Sequence, residues 1–449
     1  IVMRTDPILL VTHEPLEPRL AGPAIRAWHL AHELAGVSPT WLATPTVHNM
    51  QSSDVTLITY DRSTGAPLRE LAGQANVVIA SGYLLRRYPA LAQVDVPLVV
   101  DVYDPFVLEN LEIHASKPLQ EQVAIHGSNL EVLAEQLRLG DFFICASETQ
   151  RDFWLGVLLA VGRVNPHTLS DDPTLRRLID VVPFGLPEAA PISAPGVVKG
   201  SVPGIGRDDR VVYWGGGIWD WFDPLTLIRA VAQIAEQNPH VKLFFAGVRH
   251  PSPDVPPMRM CQAAVDLSDS LGLTGRVVFF NDWVPYHERG AYLLEADIGV
   301  SLHFAHVETR YSFRTRLLDY VWAGLPMVIT QGDTISEWVK RDSLGRAVAP
   351  EDIDGTRRAL MELLETPGFR TEAAPRFDAL RRGLHWSQVS EPLRAFCAHP
   401  YRAADGSLAG VPTPRVPLWV RSWRVLRQRG ARELAREARS YLAWRLRSG

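Results

Sequence analysis

Residues 211–224 read VVYWGGGIWDWFDP. An apolar run ends in three glycines, and a helical pattern opens at Pro224. A strand that closes in glycines ahead of a helix lets backbone N–H groups approach a phosphate closely, and it equally makes a plain tight turn. The spacing is neither GxGxxG nor a Walker loop. Further strand-like runs follow at Val241–Ala246, Val277–Phe280, Ile298–Leu302 and Pro326–Ile329, with helical patterns such as Pro224–Gln237 and Leu317–Ala323 between them. Alternation of this kind predicts a doubly wound, mostly parallel sheet.

The same alternation precedes this stretch. Ile8–Thr12, Val77–Ala80, Leu98–Val102, Phe142–Cys145 and Val181–Pro183 read as strands, and Gly22-Pro23 opens a helix with Ile25, Trp28, Ala31 and Leu34 on one face. Residues 185–209 are rich in Pro and Gly and read as a linker. The chain therefore divides into a first Rossmann-like domain (1–184), the linker, a second Rossmann-like domain (210–383), a helical segment returning to the first domain (384–400), and a linker with a basic tail (401–449). Two such α/β domains face a cleft at the carboxyl ends of their strands, where ligands bind in open sheets.

A length of 449 residues suits two domains, and 46% apolar with 21% charged residues marks an ordinary globular protein. A formal net charge of −4 excludes a whole-protein basic field for nucleic acid. Three cysteines in no metal or redox spacing point to a reducing, cytoplasmic setting. No run approaches the ~20 apolar residues of a membrane span. Residues 416–449 hold nine Arg against two Glu, with Trp419, Trp423, Leu426, Leu434, Ala438 and Tyr441 at helical spacing. Such an amphipathic tail suits an anionic membrane surface, on the inner face of the membrane, or a partner.

The most specific chemistry lies in Glu308–Pro326, ETRYSFRTRLLDYVWAGLP. An arginine-bearing loop enters a helix whose first turns hold Arg314, Thr315, Arg316 and Asp319. A helix N-terminus attracts diphosphate, arginine adds paired donors, and a carboxylate one turn on suits the hydroxyls of a ribose. The bland reading is an Arg–Asp surface pair. In the first domain, the Gly22 loop and the Tyr103-Asp104 pair after a strand end would face the cleft, Asp104 also being a plain turn residue before Pro105. His13, His29, His303 and His306 are placed to line a site. No HExxH or paired ligand spacing proposes a metal, and no G-x-S-x-G proposes a nucleophile.

With these residues in view, roughly residues 7–400 resemble the retaining glycosyltransferases of the GT-B fold, family four. The likeness rests on Val211–Ala230, on Arg276–Leu302 (RVVFFNDWVPYHERGAYLLEADIGVSL), and on Phe313–Pro326, which is similar to the family's F-x-x-(K/R)-x-x-E-Y-x-x-x-G-x-P stretch. The resemblance implies a nucleotide-sugar donor in the second domain, an acceptor (a glycan, lipid-linked or small-molecule hydroxyl) in the first, and no metal or other cofactor. It assigns the ribose to Asp319, the diphosphate to Ser312, Phe313, Arg314 and Thr315 with Gly216 and Gly217, the base loop to Trp283 and Val284, and the acceptor side to His13 and Gly22. The catalytic set is Tyr103, Asp104, Arg316 and Glu308. Three positions depart from the family. Tyr311 replaces its first glutamate, for which Glu308 would substitute. The basic pair after the glycine turn is missing, so phosphate charge falls to Arg314, Arg316 or Arg249. Tyr103 stands for a histidine. A non-catalytic nucleotide- or glycan-binding partner protein and a GT-B sugar-nucleotide epimerase stay as alternatives.

Overall fold

The structure, a computed structural model, describes residues 6–18, 20–81, 83–194, 196–248, 258–366, 368–406 and 427. The first seven strands are β1 (Ile8–Val11), β2 (Thr40–Thr44), β3 (Val55–Thr59), β4 (Val77–Ser81), β5 (Leu98–Asp101), β6 (Phe142–Cys145) and β7 (Ile179–Val181). They form one parallel sheet in the order β3-β2-β1-β4-β5-β6-β7. The second sheet contains β8 (Arg210–Trp214), β9 (Val241–Phe245), β10 (Val278–Phe280), β11 (Ile298–Ser301), β12 (Met327–Thr330) and β13 (Gly345–Val348), ordered β10-β9-β8-β11-β12-β13. Both sheets reverse direction of winding beside their first strand, and that switch point opens a crevice at the carboxyl ends. The chain is thus two doubly wound Rossmann-like domains, as the alternation predicts.

Central strands covered on both faces are apolar without interruption. All four residues of β1 are buried, with Ile8 opposite Thr40 on one side and Val77 on the other. The strands absent from the sequence reading are β2, β3 and β13. β2 (TWLAT) begins and ends in threonine, and β3 (VTLIT) is an edge strand with Thr56 and Thr59 exposed. β7 lies two residues before the expected Val181–Pro183, because Pro183 has no N–H for the ladder.

Two stretches expected as linkers are docked. In 185–209 the backbone N–H groups of Val198 and Lys199 donate to the Glu295 carboxylate at 2.7 and 2.8 Å, Val198 and Ile205 are buried, and Trp322 Nε1 donates to Ala189 O at 2.8 Å. Residues 401–406 are anchored on the first sheet's side. Asp405 accepts from Arg163 Nε at 2.9 Å with both side chains buried, and Arg402 Nη1 reaches Asp141 Oδ2 at 2.9 Å. The helices Trp386–Val389 and Glu391–Ala398 pack there as well, with Phe396 stacked on Phe142 at 4.8 Å. The basic tail lies outside the described residues, and no helix among the described residues is long and apolar enough to cross a membrane.

Tyr320 ties the second sheet to its glycine turn. Its hydroxyl donates to Val300 O at 2.9 Å and accepts from Gly215 N at 2.8 Å. The ring lies so close over β11 that a Cβ on Gly299 would sit 2.6 Å from it, so only glycine fits there.

Candidate active site

The glycine turn and the helix Thr315–Ala323 meet over the carboxyl ends of β8 and β11. Gly216 has φ +68°, a left-handed conformation that glycine adopts without strain, and this aims the Gly217 carbonyl at the helix. Arg316 Nη2 donates to Gly217 O at 2.8 Å. Trp283 packs on the same turn, where a Cβ on Gly247 would come within 2.7 Å of its ring. Gly216, Gly217, Trp283, Val284, Thr315, Arg316 and Asp319 line one cavity of about 160 Å³, to which Gly22 contributes from the opposite domain.

An adjoining cavity of about 330 Å³ shares Gly22, Thr315 and Arg316 with the first and adds His13, Tyr103, Asp104, Glu109, Glu308, Ser312, Phe313 and Arg314. The glycine turn, the base loop, the arginine loop, Tyr103, Asp104, Glu308, His13 and Gly22 therefore border these two cavities, and Arg316 lines both, whereas His29, His303 and His306, expected to line the site, line neither. Arg249 lies outside the described residues.

The two arginines of the loop are held differently. Arg314 is buried with Nη2 3.2 Å from Glu308 Oε2 and Nε 3.3 Å from Asp333 Oδ2. These two carboxylates offset its charge, and it still lines the larger cavity. Glu308, expected among catalytic groups, is 2% exposed and is the partner in this pair. His303 is buried in the same cluster, and burial with the nearby Arg314 pushes it down to about 2, so it is neutral. Among the described residues Arg316 has no carboxylate partner. Its guanidinium lies 4.0 Å over the Phe222 ring and 5.3 Å from that of Trp214, and Nη1 has no hydrogen-bond partner. Burial pushes it down to about 9, yet it stays charged at neutral pH.

Asp319 does not pair with Arg316. Arg289 Nε donates to Asp319 Oδ1 at 3.0 Å, and the Arg289 guanidinium lies between the rings of Tyr286 (3.7 Å) and Trp322 (4.5 Å).

On the first-domain wall, Tyr103 is set by a buried pair beneath it. Arg26 Nη2 donates to Asp101 Oδ1 at 3.1 Å, the Tyr103 N–H donates to the same oxygen at 3.1 Å, and the Arg26 guanidinium lies 4.8 Å from the Tyr103 ring. Asp104 and Glu109 are hydrogen-bonded to each other, and burial pushes Asp104 up to about 6 and Glu109 well above its ordinary value. The surroundings thus favour the protonated form of each carboxyl. Tyr311 touches the other domain. Its carbonyl accepts from Gln150 Nε2 at 2.7 Å and its ring lies 4.8 Å from that of Phe153. Among the described residues no group of three or more His, Cys, Asp or Glu is placed to hold a metal ion.

Residues 209–366, which carry the second-domain wall of the cleft, match the family model described as glycosyl transferases group 1. In fold the chain is similar to sucrose-phosphate synthase from Thermosynechococcus elongatus (14% identity, TM-score 0.61, 87% of this chain and 98% of that one). It is likewise similar to Anabaena HepE in complex with UDP-glucose (14%, 0.60, 87% and 100%) and to WaaG, a glycosyltransferase involved in lipopolysaccharide biosynthesis (14%, 0.57, 89% and 98%). These likenesses establish the GT-B fold. No curated protein matches the chain by sequence.

Sequence reasoning passed over Tyr286, Arg289, Glu109 and Gln150. Tyr286 and Arg289 stand inside the quoted run 276–302, where an aromatic three residues before an arginine at a helix start was the available signal. Glu109, five residues after Asp104, and Gln150, on a different helix, carry no local signature.

Proposed function

We propose that this protein is a GT-B glycosyltransferase that moves a sugar from a nucleoside-diphosphate donor to an acceptor hydroxyl, with retention of anomeric configuration. The observation that carries the reading is Arg316, an enclosed cation without a counter-ion at the junction of the two cavities. A buried unpaired charge is costly, and an arriving anion relieves that cost. A diphosphate fits, because the N-terminus of Thr315–Ala323 and the glycine turn add free backbone donors beside the guanidinium.

In this mechanism Trp283 and Val284 hold the base, Asp319 accepts from the ribose hydroxyls, and Arg316 stabilises negative charge as it grows on the leaving diphosphate. Tyr103 and Asp104 face the acceptor from the opposite wall, and closure of the cleft orients the two substrates and excludes water. Retention rests on the family resemblance and predicts a product of unchanged anomeric configuration by NMR. With arginine in the phosphate role the reaction needs no metal, so activity survives EDTA. The setting we assign is cytoplasmic, with the basic tail on an anionic membrane. Loss of liposome binding on deletion after Pro417 tests that assignment.

The deciding experiment is a thermal-shift screen over UDP, GDP, ADP and dTDP, followed by nucleotide-sugar turnover with and without acceptors. A ligand at 100 times its Kd stabilises by about 2.7 kcal/mol. Binding without any turnover favours a non-catalytic binding protein. Absence of binding by all four overturns the donor site.

A further inference from the structure

Beyond the donor site lies a hydrogen-bond chain that crosses from one domain to the other. His29 belongs to the first-domain helix Gly22–Ala35, and its Nε2 is 2.9 Å from the hydroxyl of Tyr286 in the second domain. Arg289 Nη2 donates to that hydroxyl at 3.1 Å, and Arg289 Nε donates to Asp319 Oδ1 at 3.0 Å. An arginine has only hydrogens to give, so the Tyr286 oxygen accepts from Arg289. Toward His29 the bond runs either way, from the Tyr286 hydroxyl to a bare Nε2 or from an Nε2–H to the second lone pair of the oxygen. Burial, aided by Arg289 and His32, pushes His29 down to about 3 and keeps it neutral. The ring is held in place by stacking on Trp386 at 4.9 Å and 8°.

We infer that His29 and Tyr286 are positioning residues that tie the ribose carboxylate Asp319 to the first domain, so that the donor's sugar hydroxyls are gripped fully only when the two domains meet. The inference rests on the assignment of Asp319 to the ribose. Arg289 occupies Oδ1 of Asp319, which fixes the carboxylate plane. Tyr286 fixes Arg289 twice, through its ring and through its main-chain carbonyl, which accepts from Nη1 at 2.8 Å. The hydroxyl adds the third constraint and reaches the opposite domain, to which Tyr286 is also tied by its main-chain N–H, a donor to Pro18 O at 3.1 Å. When the domains part, His29 leaves, the Tyr286 hydroxyl turns to water, and the guanidinium loses its tie to the opposite domain.

The test is calorimetric titration with UDP, GDP and ADP, each paired with its 2′,3′-dideoxy counterpart. The ratio of the two affinities isolates the ribose hydroxyls from base and phosphates. Tyr286→Phe keeps the ring over Arg289 and removes the hydroxyl. His29→Phe keeps the stack on Trp386 and removes the hydrogen-bond partner. Each is expected to cut the ribose-to-dideoxy ratio about tenfold, the effect of one hydrogen bond on a charged contact, and to leave dideoxy affinity unchanged. His29→Gln, which retains a donor and an acceptor, restores the ratio. A ratio unaltered in both phenylalanine variants overturns the inference, as does an equal loss for ribose and dideoxy ligands, which marks a purely structural role. A wild-type protein that binds nucleotides without preferring ribose overturns it while leaving the diphosphate site standing. Failure to bind any of the three pairs removes the donor site and the inference together.

Discussion

The two walls of the cleft carry opposite electrostatic imbalances. The second-domain wall holds Arg316, a cation with no carboxylate beside it. The first-domain wall holds Asp104 and Glu109, two adjacent carboxyls whose protonated forms burial favours. Each imbalance costs folding energy, and neither is needed for a sheet to pack. The contrast with Arg314 sharpens the point. Two positions away in sequence, Arg314 lies 3.2 and 3.3 Å from the carboxylates of Glu308 and Asp333. A cation in balance supports structure, and one out of balance awaits a ligand.

The largest expected effect separates these two arginines. Arg314→Ala leaves Glu308 and Asp333 buried without their cation and is expected to cost ~3–5 kcal/mol of stability, read by chemical denaturation. Arg316→Ala removes no ion pair, so its melting temperature holds or rises, while turnover of the nucleotide sugar falls ~10²-fold or more. Equal losses of stability in the two variants break the comparison. Asp319→Ala comes next. Donor affinity falls along with rate, because ribose contacts exist throughout the reaction, and Arg289 is left without its carboxylate. Calorimetry with the donor nucleotide separates this from the Arg316 effect, which acts more on kcat than on binding.

The smallest effect belongs to the acidic wall and depends on pH. A carboxyl whose folded-state value is raised binds more protons folded than unfolded. Stability from Asp104 and Glu109 is therefore full below the ordinary carboxyl values of 3.8 and 4.5, and it declines as pH rises through about 6. Glu109→Gln keeps a donor for Asp104 and removes the second charge. It is expected to raise the melting temperature relative to wild type at pH 7.5 and to lose that advantage at pH 4. An advantage that does not change with pH refutes the raised carboxyl values.

The fold class was legible because β1, β4, β5, β6, β8, β9, β11 and β12 are apolar runs buried on both faces, and such runs announce themselves without context. β2, β3 and β13 were not, since the threonines of β2 and β3 and the Gly345-Arg346 opening of β13, at or near a sheet edge, interrupt the apolar run. The positions that line the cleft were found because loops at strand ends have to face it in a doubly wound sheet. Partnership was not legible. Whether Asp319 meets Arg316, one turn away, or Arg289, thirty residues away, is decided by the tilt of two helices. Whether an arginine's charge is offset depends on Asp333, which no local pattern connects to Arg314.

Gln150 gives the cleft a further property. Its buried amide nitrogen donates to Tyr103 O at 2.8 Å in one domain and to Tyr311 O at 2.7 Å in the other, while its oxygen accepts from Ala146 N at 2.8 Å. Both amide hydrogens are committed, one to each half of the molecule. Deamidation would exchange that nitrogen for an oxygen and place a carboxylate, which has no hydrogen to give, between two carbonyl oxygens. A change of a single heavy atom, invisible to side-chain volume, would turn a tie between the halves into a repulsion. One amide group thus holds together two main-chain carbonyls from opposite halves of the molecule.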